Sequence, residues 1–104
     1  MLITTTNGIT IYEFEGLSDH PIVAIAFTGR QGGISSPPYD SLNLSLNVRD
    51  AREAVAENRR RVASLVGLPR ESWVTAQQVH GCAVANVTQA DRGRGAVDYA
   101  DGLP

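Results

Sequence analysis

Lysine is absent from this 104-residue sequence, in which all nine basic residues are arginine. Its absence excludes Schiff-base chemistry, which needs an amine side chain, and also excludes the lysine of a phosphate-binding P-loop. The eleven acidic residues give a net charge of -2 at pH 7. We therefore expect neither nucleic acid nor an anionic membrane surface as a partner, because both bind proteins with an excess of positive charge.

Cysteine occurs once, as Cys82, and long hydrophobic runs do not occur. A single cysteine excludes an internal disulfide framework and fits a reducing compartment, so we expect a cytoplasmic protein. The sequence shows neither the basic and apolar regions of a signal peptide nor a run long enough to span a membrane. At this length the chain can build one modest core, so residues 1–104 form one domain or part of one.

Strand patterns dominate the first part of the chain. Residues 2–6 and 9–14 flank Asn7-Gly8, a pair favoured in type I′ turns, and this arrangement predicts a β-hairpin. We expect its aromatic face, with Tyr12 and Phe14, to be the buried one. The uninterrupted apolar run over residues 22–28 predicts a central strand.

Later segments predict further strands and one long helix. Leucine alternates with polar residues over 42–46, which predicts a half-buried strand, and residues 73–79 and 82–87 also favour strands. The helix is predicted from about residue 51 to residue 66. The elements together predict an α+β fold, with a mixed β-sheet, an N-terminal hairpin and the helix packed on the sheet.

Three polar residues refine the prediction for the helix. Asp50 and Glu53 have the spacing of a capping box at its start, and Gly67 is typical of a helix end. Asn58 falls on the apolar stripe of the helix. Its amide therefore needs a hydrogen-bond partner from elsewhere in the fold.

Two segments contain candidate ligand-binding residues. The sequence G-R-Q-G-G at 29–33 could form a backbone nest for an anion, with Arg30 as a bidentate clamp, or it could be a glycine-rich turn with a solvated arginine. The polar side chains at 43, 45 and 47 could face a pocket or simply form the solvated side of a sheet.

His80 is one of only two histidines and lies between a predicted strand and Gly81. This position suits a metal ligand or a general base, although a lone histidine is more often structural. Cys82 would share a face with His80 on a strand, but the two form a cramped pair for one metal ion. A tetrahedral zinc site needs three or four ligands, so the alternatives stay open from the residues alone.

Read in order, three segments resemble the laccase-domain family. They are F-T-G-R-Q-G-G-I-S-S-P-P-Y-D-S-L-N-L-S-L-N-V, A-V-A-E-N-R-R-R-V and Q-Q-V-H-G. The resemblance covers residues 26–87 and corresponds to the N-terminal half of the family's domain. The family was once described as multicopper polyphenol oxidases, hence the copper historically proposed for it, and is now treated as purine nucleoside phosphorylases with adenosine deaminase activity.

The resemblance implies roles for four residues. His80 corresponds to the first histidine of a metal site usually assigned to zinc, and would be both a metal ligand and a catalytic residue. Arg30 would be catalytic and substrate-binding, while Asn43 and Gln78 would bind substrate. The implied ligands are a purine nucleoside and phosphate, and the sequence does not choose between phosphorolysis and deamination.

Two functional hypotheses follow from the resemblance. The first is the N-terminal segment of a zinc-dependent purine nucleoside phosphorylase or adenosine deaminase. In the family the remaining metal ligands, a cysteine and a second histidine, lie C-terminal to the matching motifs, so we expect an incomplete domain and an incomplete zinc site. The alternative is a non-catalytic truncated domain, a binding or assembly module that self-associates through an exposed sheet edge.

Overall fold

The computed structural model describes residues 1–14, 16, 24–76 and 81–94. In chain order its elements are the strands β1 (Leu2–Thr6), β2 (Ile9–Glu13) and β3 (Ala26–Thr28) and the helix α1 (Arg52–Val66). Short 3-10 turns follow at Arg70–Ser72 and Gln89–Asp91. The strands form one antiparallel sheet in the order β1-β2-β3.

The predicted N-terminal hairpin is confirmed. Asn7 and Gly8 both have positive φ angles, 52° and 83°, as a type I′ turn requires. The prediction of a buried aromatic face is wrong, because Ile9 on the opposite face is only 1% exposed whereas Phe14 is 43% exposed. The aliphatic face of β2 is therefore the one that contacts the rest of the domain.

The structure corrects two of the predicted strands. Of the strand predicted over residues 22–28, only Ala26–Thr28 forms a strand, and residues 22 and 23 lie outside the described residues. In the described part of the chain β3 pairs with β2 alone and occupies an edge, so its apolar run does not make it central. Residues 42–46 form no strand, because Asn43 Oδ1 accepts a hydrogen bond from the backbone amide of Ser45 at 3.1 Å. Such a local side-chain bond turns the backbone and competes with strand pairing.

The C-terminal predictions are only partly covered by the structure. Within the described residues 73–76 and 82–87, no strand forms. The three strands that do form pair antiparallel throughout, so no parallel pair among them makes the sheet mixed.

The long helix is confirmed at Arg52–Val66, and Gly67 ends it with a φ of 74° and an amide that donates to Ala63 O. Its predicted capping box is wrong, because Ala51 is the N-cap and makes no side-chain cap bond. The carboxylate of Asp50 instead accepts from the amide of Ala51 at 2.8 Å and from two tertiary partners described below. No helix in the described residues is long and apolar enough to cross a membrane.

A small core joins the helix to the sheet. Ile9 of β2, Leu42 of the following loop and Val62 of α1 are buried together. Four partly buried residues pack around them: Ile11, Leu44, Leu65 and Trp73. The α+β class is thus confirmed, and this cluster joins the sheet, the loop after β3 and the helix.

Candidate functional site

Arg30 and Asn43, two of the residues proposed for the site, line one pocket of about 340 Å³. The pocket lies in the loop between β3 and α1, and its other lining residues are Pro38, Tyr39, Asp40 and Leu42. The loop closes on itself because the carbonyl oxygen of Arg30 accepts from the backbone amides of Ser41 and Leu42 at 2.9 and 2.7 Å. These two bonds bring residues far apart in the loop to one surface.

The guanidinium of Arg30 is exposed and paired with Asp40. Its Nη2 donates to Asp40 Oδ2 and its Nε donates to the backbone carbonyl of Asp40, both at 3.3 Å. The two side chains are 76% and 44% exposed. Charge-assisted bonds of this kind are shorter when strong, about 2.7–2.9 Å. An incoming anion can therefore compete with Asp40 for this arginine.

The amide of Asn43, by contrast, is committed to the protein. Its Nδ2 donates to Ser45 O at 3.3 Å and to Asp50 Oδ2 at 3.1 Å, and its Oδ1 accepts from the Ser45 amide. Both amide hydrogens are thus in use. Asn43 shapes the pocket wall through its position and offers a ligand only a remaining lone pair of Oδ1.

Asn43 belongs to a closed ring of hydrogen bonds with Ser35, Asp50 and Asn58, which we call the Asn58 ring. Asn58 Nδ2 donates to Ser35 Oγ at 2.9 Å and to Asn43 O at 2.8 Å. Ser35 Oγ and Asn43 Nδ2 both donate to Asp50 Oδ2. The bond from Ser35 lowers the pKa of Asp50 most. Together with the bonds from Asn43 and from the Ala51 amide, it holds this pKa below its usual value.

Asn58 is completely buried, and its Oδ1 accepts from the amide of Ile34 at 2.8 Å. The prediction that this amide needs tertiary partners is confirmed. Every buried side-chain nitrogen and oxygen in the described residues has a hydrogen-bond partner. The helix thus holds the loop through a fully satisfied polar contact, which a buried amide requires.

The helix also holds the loop through arginines. Arg59 Nε donates to Leu44 O at 2.8 Å, and Arg61 Nη1 donates to Gly32 O at 3.0 Å. Glu57 is bound by Arg60 and Arg61, with donor–acceptor distances of 2.7 and 2.8 Å, and these bonds lower the pKa of Glu57 to about 2. These arginines are engaged with the protein itself.

The glycine-rich segment is a packing element in this structure. The amide of Gly33 donates to Ser41 Oγ at 3.2 Å, so it is used internally, like that of Ile34. A Cβ on Gly33 would lie 2.1 Å from Ser41 O, and one on Gly32 would lie 2.6 Å from a side-chain carbon of Ile9. Of the two alternatives, a turn with an exposed Arg30 fits these contacts, and the anion nest does not.

Gln78 and His80 lie outside the described residues, so their proposed roles stay predictions. The part of the chain that the structure describes holds no group of three or more histidine, cysteine or acidic side chains that could bind a metal ion. Cys82 is an exposed free thiol. The described residues therefore do not by themselves fit a zinc site.

Sequence reasoning missed Asp40 as a pocket residue and as the partner of Arg30. Asp40 follows P-P-Y and lies ten residues after Arg30. In a loop without regular structure, this spacing does not predict that the two side chains pair. It also missed the role of Asp50 in the Asn58 ring. The capping-box pattern predicts a local helix cap for Asp50 and does not indicate its tertiary hydrogen bonds.

Comparisons with known proteins place this geometry in a family context. Residues 24–104 match the family described as multi-copper polyphenol oxidoreductase laccase. The chain is 47% identical over 77 residues to purine nucleoside phosphorylase YlmD of Geobacillus stearothermophilus, covering 74% of this chain and 28% of that protein. It is 37% identical over 102 residues to purine nucleoside phosphorylase YlmD of Bacillus subtilis, covering 97% and 37%.

A solved structure agrees with the fold. The crystal structure of the Bacillus licheniformis hypothetical protein YfiH is similar with a TM-score of 0.79 and 33% identity, over 94% of this chain and 35% of that one. The chain thus spans about a third of the length of the curated relatives that it matches.

Proposed function

This chain belongs to the multi-copper polyphenol oxidoreductase laccase family, and from that premise we propose that it is the N-terminal part of a cytoplasmic purine nucleoside phosphorylase. The names of the two YlmD relatives support the substrate class. The observation that carries the proposal is the pocket in which Arg30 and Asn43 lie together.

Arg30 is the proposed phosphate-binding residue of this pocket. Its two bonds to Asp40 are long and exposed, so phosphate can replace Asp40 as the partner of the guanidinium and bind through two parallel N–H donors. In phosphorolysis a phosphate oxygen attacks the anomeric carbon of the nucleoside, and the purine leaves with the bonding electron pair. An arginine that fixes the phosphate orients this attack.

We also assign zinc to the complete domain, with His80 as one ligand. A zinc ion would activate water for the deamination of adenosine, the second activity proposed for the family domain. The described residues supply no ligand cluster, so we attribute the other ligands to residues outside them. Gln78, two residues before His80, is proposed to contact the nucleoside.

The test compares Arg30 with a matched arginine. Arg94 pairs with Asp91 at 3.1 Å and is also exposed, but it lies outside the pocket. We expect phosphate, titrated into the chain by NMR, to shift the Arg30 Nε–H signal and the backbone amide signals of the pocket. Measured from these backbone signals, R30A should weaken phosphate binding about tenfold or more, while R94A should leave it unchanged. Inosine titrated next should shift signals of the pocket backbone.

Two results would overturn this proposal. Either the chain binds neither phosphate nor inosine, or R30A and R94A lower phosphate affinity equally, which would indicate unspecific attraction of an anion. Zinc content is measured in parallel, together with hypoxanthine release from inosine and inosine formation from adenosine. If the chain forms inosine from adenosine but releases no hypoxanthine from inosine, the proposed function becomes adenosine deamination.

The second candidate function, an assembly module, is favoured by one observation. Ile3, Tyr12 and Phe27 are cross-strand neighbours on the face of the sheet opposite the core. Ile3 is 63% and Phe27 is 56% exposed, and the Phe27 ring meets Phe14 edge-on at 5.9 Å. An exposed apolar sheet face of this kind favours association.

Light scattering at increasing protein concentration tests the assembly module. The expected result is a dimer or larger species that F27D returns to a monomer. The control variant is V84D, since Val84 is 90% exposed but lies outside the sheet. A protein that stays monomeric over the whole concentration range contradicts this candidate.

A further inference from the structure

We propose that Asn58 is a positioning residue for the phosphate and nucleoside pocket, an inference that rests on the proposed function. Asn58 does not line the pocket itself. It acts through the two segments of the loop that carry Arg30 and Asn43. No other side chain among those described is both fully buried and bonded to both segments.

Asn58 bonds to the backbone of both loop segments. Its Oδ1 accepts from the Ile34 amide, four residues after Arg30, and its Nδ2 donates to the carbonyl of Asn43 itself. The same Nδ2 donates to Ser35 Oγ. One side chain on a rigid helix thus ties together the two segments that meet at the pocket.

The three hydrogen bonds of Asn58 need an amide side chain. Asn58 is 0% exposed, so water does not reach its side-chain amide, and these three bonds satisfy its oxygen and nitrogen. Only a side chain with both an acceptor and a two-hydrogen donor serves Ile34, Ser35 and Asn43 together, and asparagine has this combination at the right length. An aspartate in its place keeps the shape but loses both donor hydrogens.

The loop backbone links the Asn58 ring to Arg30. The Arg30 carbonyl accepts from the amides of Ser41 and Leu42, and the Ser35 amide donates to Ser41 O at 3.0 Å. A shift of the Ile34–Ser35 backbone is therefore transmitted to Ser41 and from there to Arg30. Loss of the Asn58 bonds displaces the guanidinium relative to Asn43, and a displacement of this kind lowers binding without removing any binding group.

The experiment compares N58D with N86D, the same isosteric change at an exposed asparagine outside the helix. Phosphate affinity is measured through the Arg30 Nε–H signal, and stability is measured by urea unfolding under the same conditions. We expect N58D, where folded, to bind phosphate about tenfold more weakly than the wild type, and N86D to match the wild type.

A pH dependence separates positioning from general destabilisation. Burial and the nearby Asp50 carboxylate raise the pKa of a carboxyl group introduced at position 58, so acidification protonates it and restores one donor hydrogen. Expressed relative to wild type at the same pH, the phosphate affinity of N58D should recover as the pH falls through the pKa of the introduced carboxyl group, which carbon-13 titration locates. An affinity deficit that does not change across that pKa contradicts the proposal, as does wild-type affinity in folded N58D.

Two further measurements cover the remaining outcomes. If N58D does not fold, S35A is measured instead, because it removes one member of the Asn58 ring. We expect S35A to weaken phosphate binding about threefold. Wild-type phosphate affinity in S35A would then overturn the proposal. If the wild-type chain binds neither phosphate nor inosine, the proposed function fails. The positioning role is then judged in ligand-free protein, where the Arg30 Nε–H and Asn43 Nδ2 signals must shift in N58D and stay in N86D.

Discussion

A methyl group added at Gly33 meets protein atoms on three sides. A Cβ there would lie 2.1 Å from Ser41 O, 2.5 Å from Asn58 Oδ1 and 2.7 Å from the Cα of Leu42. Two of these atoms belong to the backbone, and the third belongs to a fully buried side chain. None is the free end of a flexible group, so G33A forces the loop away from the helix.

The size of the effect follows from what this movement breaks. Overpacking a tightly packed site costs about 1–3 kcal/mol. The bonds from Gly33 N to Ser41 Oγ and from Ile34 N to Asn58 Oδ1 are lost or lengthened, at about 1 kcal/mol each. We therefore expect G33A to lower the free energy of unfolding by roughly 3–5 kcal/mol, a large share of the roughly 5–15 kcal/mol of a typical domain.

Urea unfolding followed by tryptophan fluorescence measures this loss. G29A is the matched control in the same loop, since a Cβ at Gly29 meets its nearest atoms at 3.6 Å, an ordinary contact. With a urea slope of about 1–3 kcal/mol per M, G33A should lower the midpoint by at least about 1 M, and G29A by far less. Equal midpoints for the two variants would refute the reasoning from steric contact.

Two further substitutions test the core and the charged face of the helix. I9V should cost about 0.5–1.5 kcal/mol in urea unfolding because Ile9 is 1% exposed, whereas I3V, at a position 63% exposed, should be nearly neutral; equal losses would contradict the assigned core face. Arg60, and to a smaller extent Arg61, lowers the pKa of Glu57 to about 2. The ionised Glu57 therefore stabilises the fold fully above about pH 4.5, and this contribution is lost as the pH falls toward about 2. R60A should therefore raise the pKa of Glu57 toward 4.5 in a carbon-13 titration, and an unchanged pKa would be the contrary result.

Local patterns were enough to predict the elements that form from local interactions. The Asn7-Gly8 turn needs only two positive φ angles, and the helix needs only its stripe and Gly67. The prediction that Asn58 would have tertiary partners also succeeded, since a polar group on an apolar face cannot stay unpaired. What the pattern could not supply was the identity of those partners.

Predictions failed where a tertiary or side-chain interaction outweighed the pattern. The alternation over residues 42–46 favours a strand, but Asn43 bonds the Ser45 backbone and the Asp50 carboxylate instead. The aromatic residues of the hairpin favour burial, yet the helix packs on Ile9. Which face of a strand is covered depends on the element packed against it, and the alternation alone does not contain that information.

The roles of the candidate site residues rest on the family resemblance and stay predictions. Arg30 and Asn43 do lie at one pocket, although nothing in their spacing brings together residues thirteen positions apart. Asp40 escaped prediction because an ion pair inside an irregular loop leaves no periodic trace. The roles of Gln78 and His80 stay predictions that zinc analysis and nucleoside turnover can test.

The paired glycines show how one sequence pattern can arise from two physical causes. A phosphate nest needs glycine because amides must converge on an anion. Here Gly32, at a φ of 102°, and Gly33 are required because Gly8, Ser41 and Asn58 occupy the space of a side chain. Loss of phosphate binding in a glycine variant would therefore report a displaced loop. R30A, which removes the proposed phosphate-binding group from an exposed side chain, tests binding at this pocket more directly than a glycine variant does.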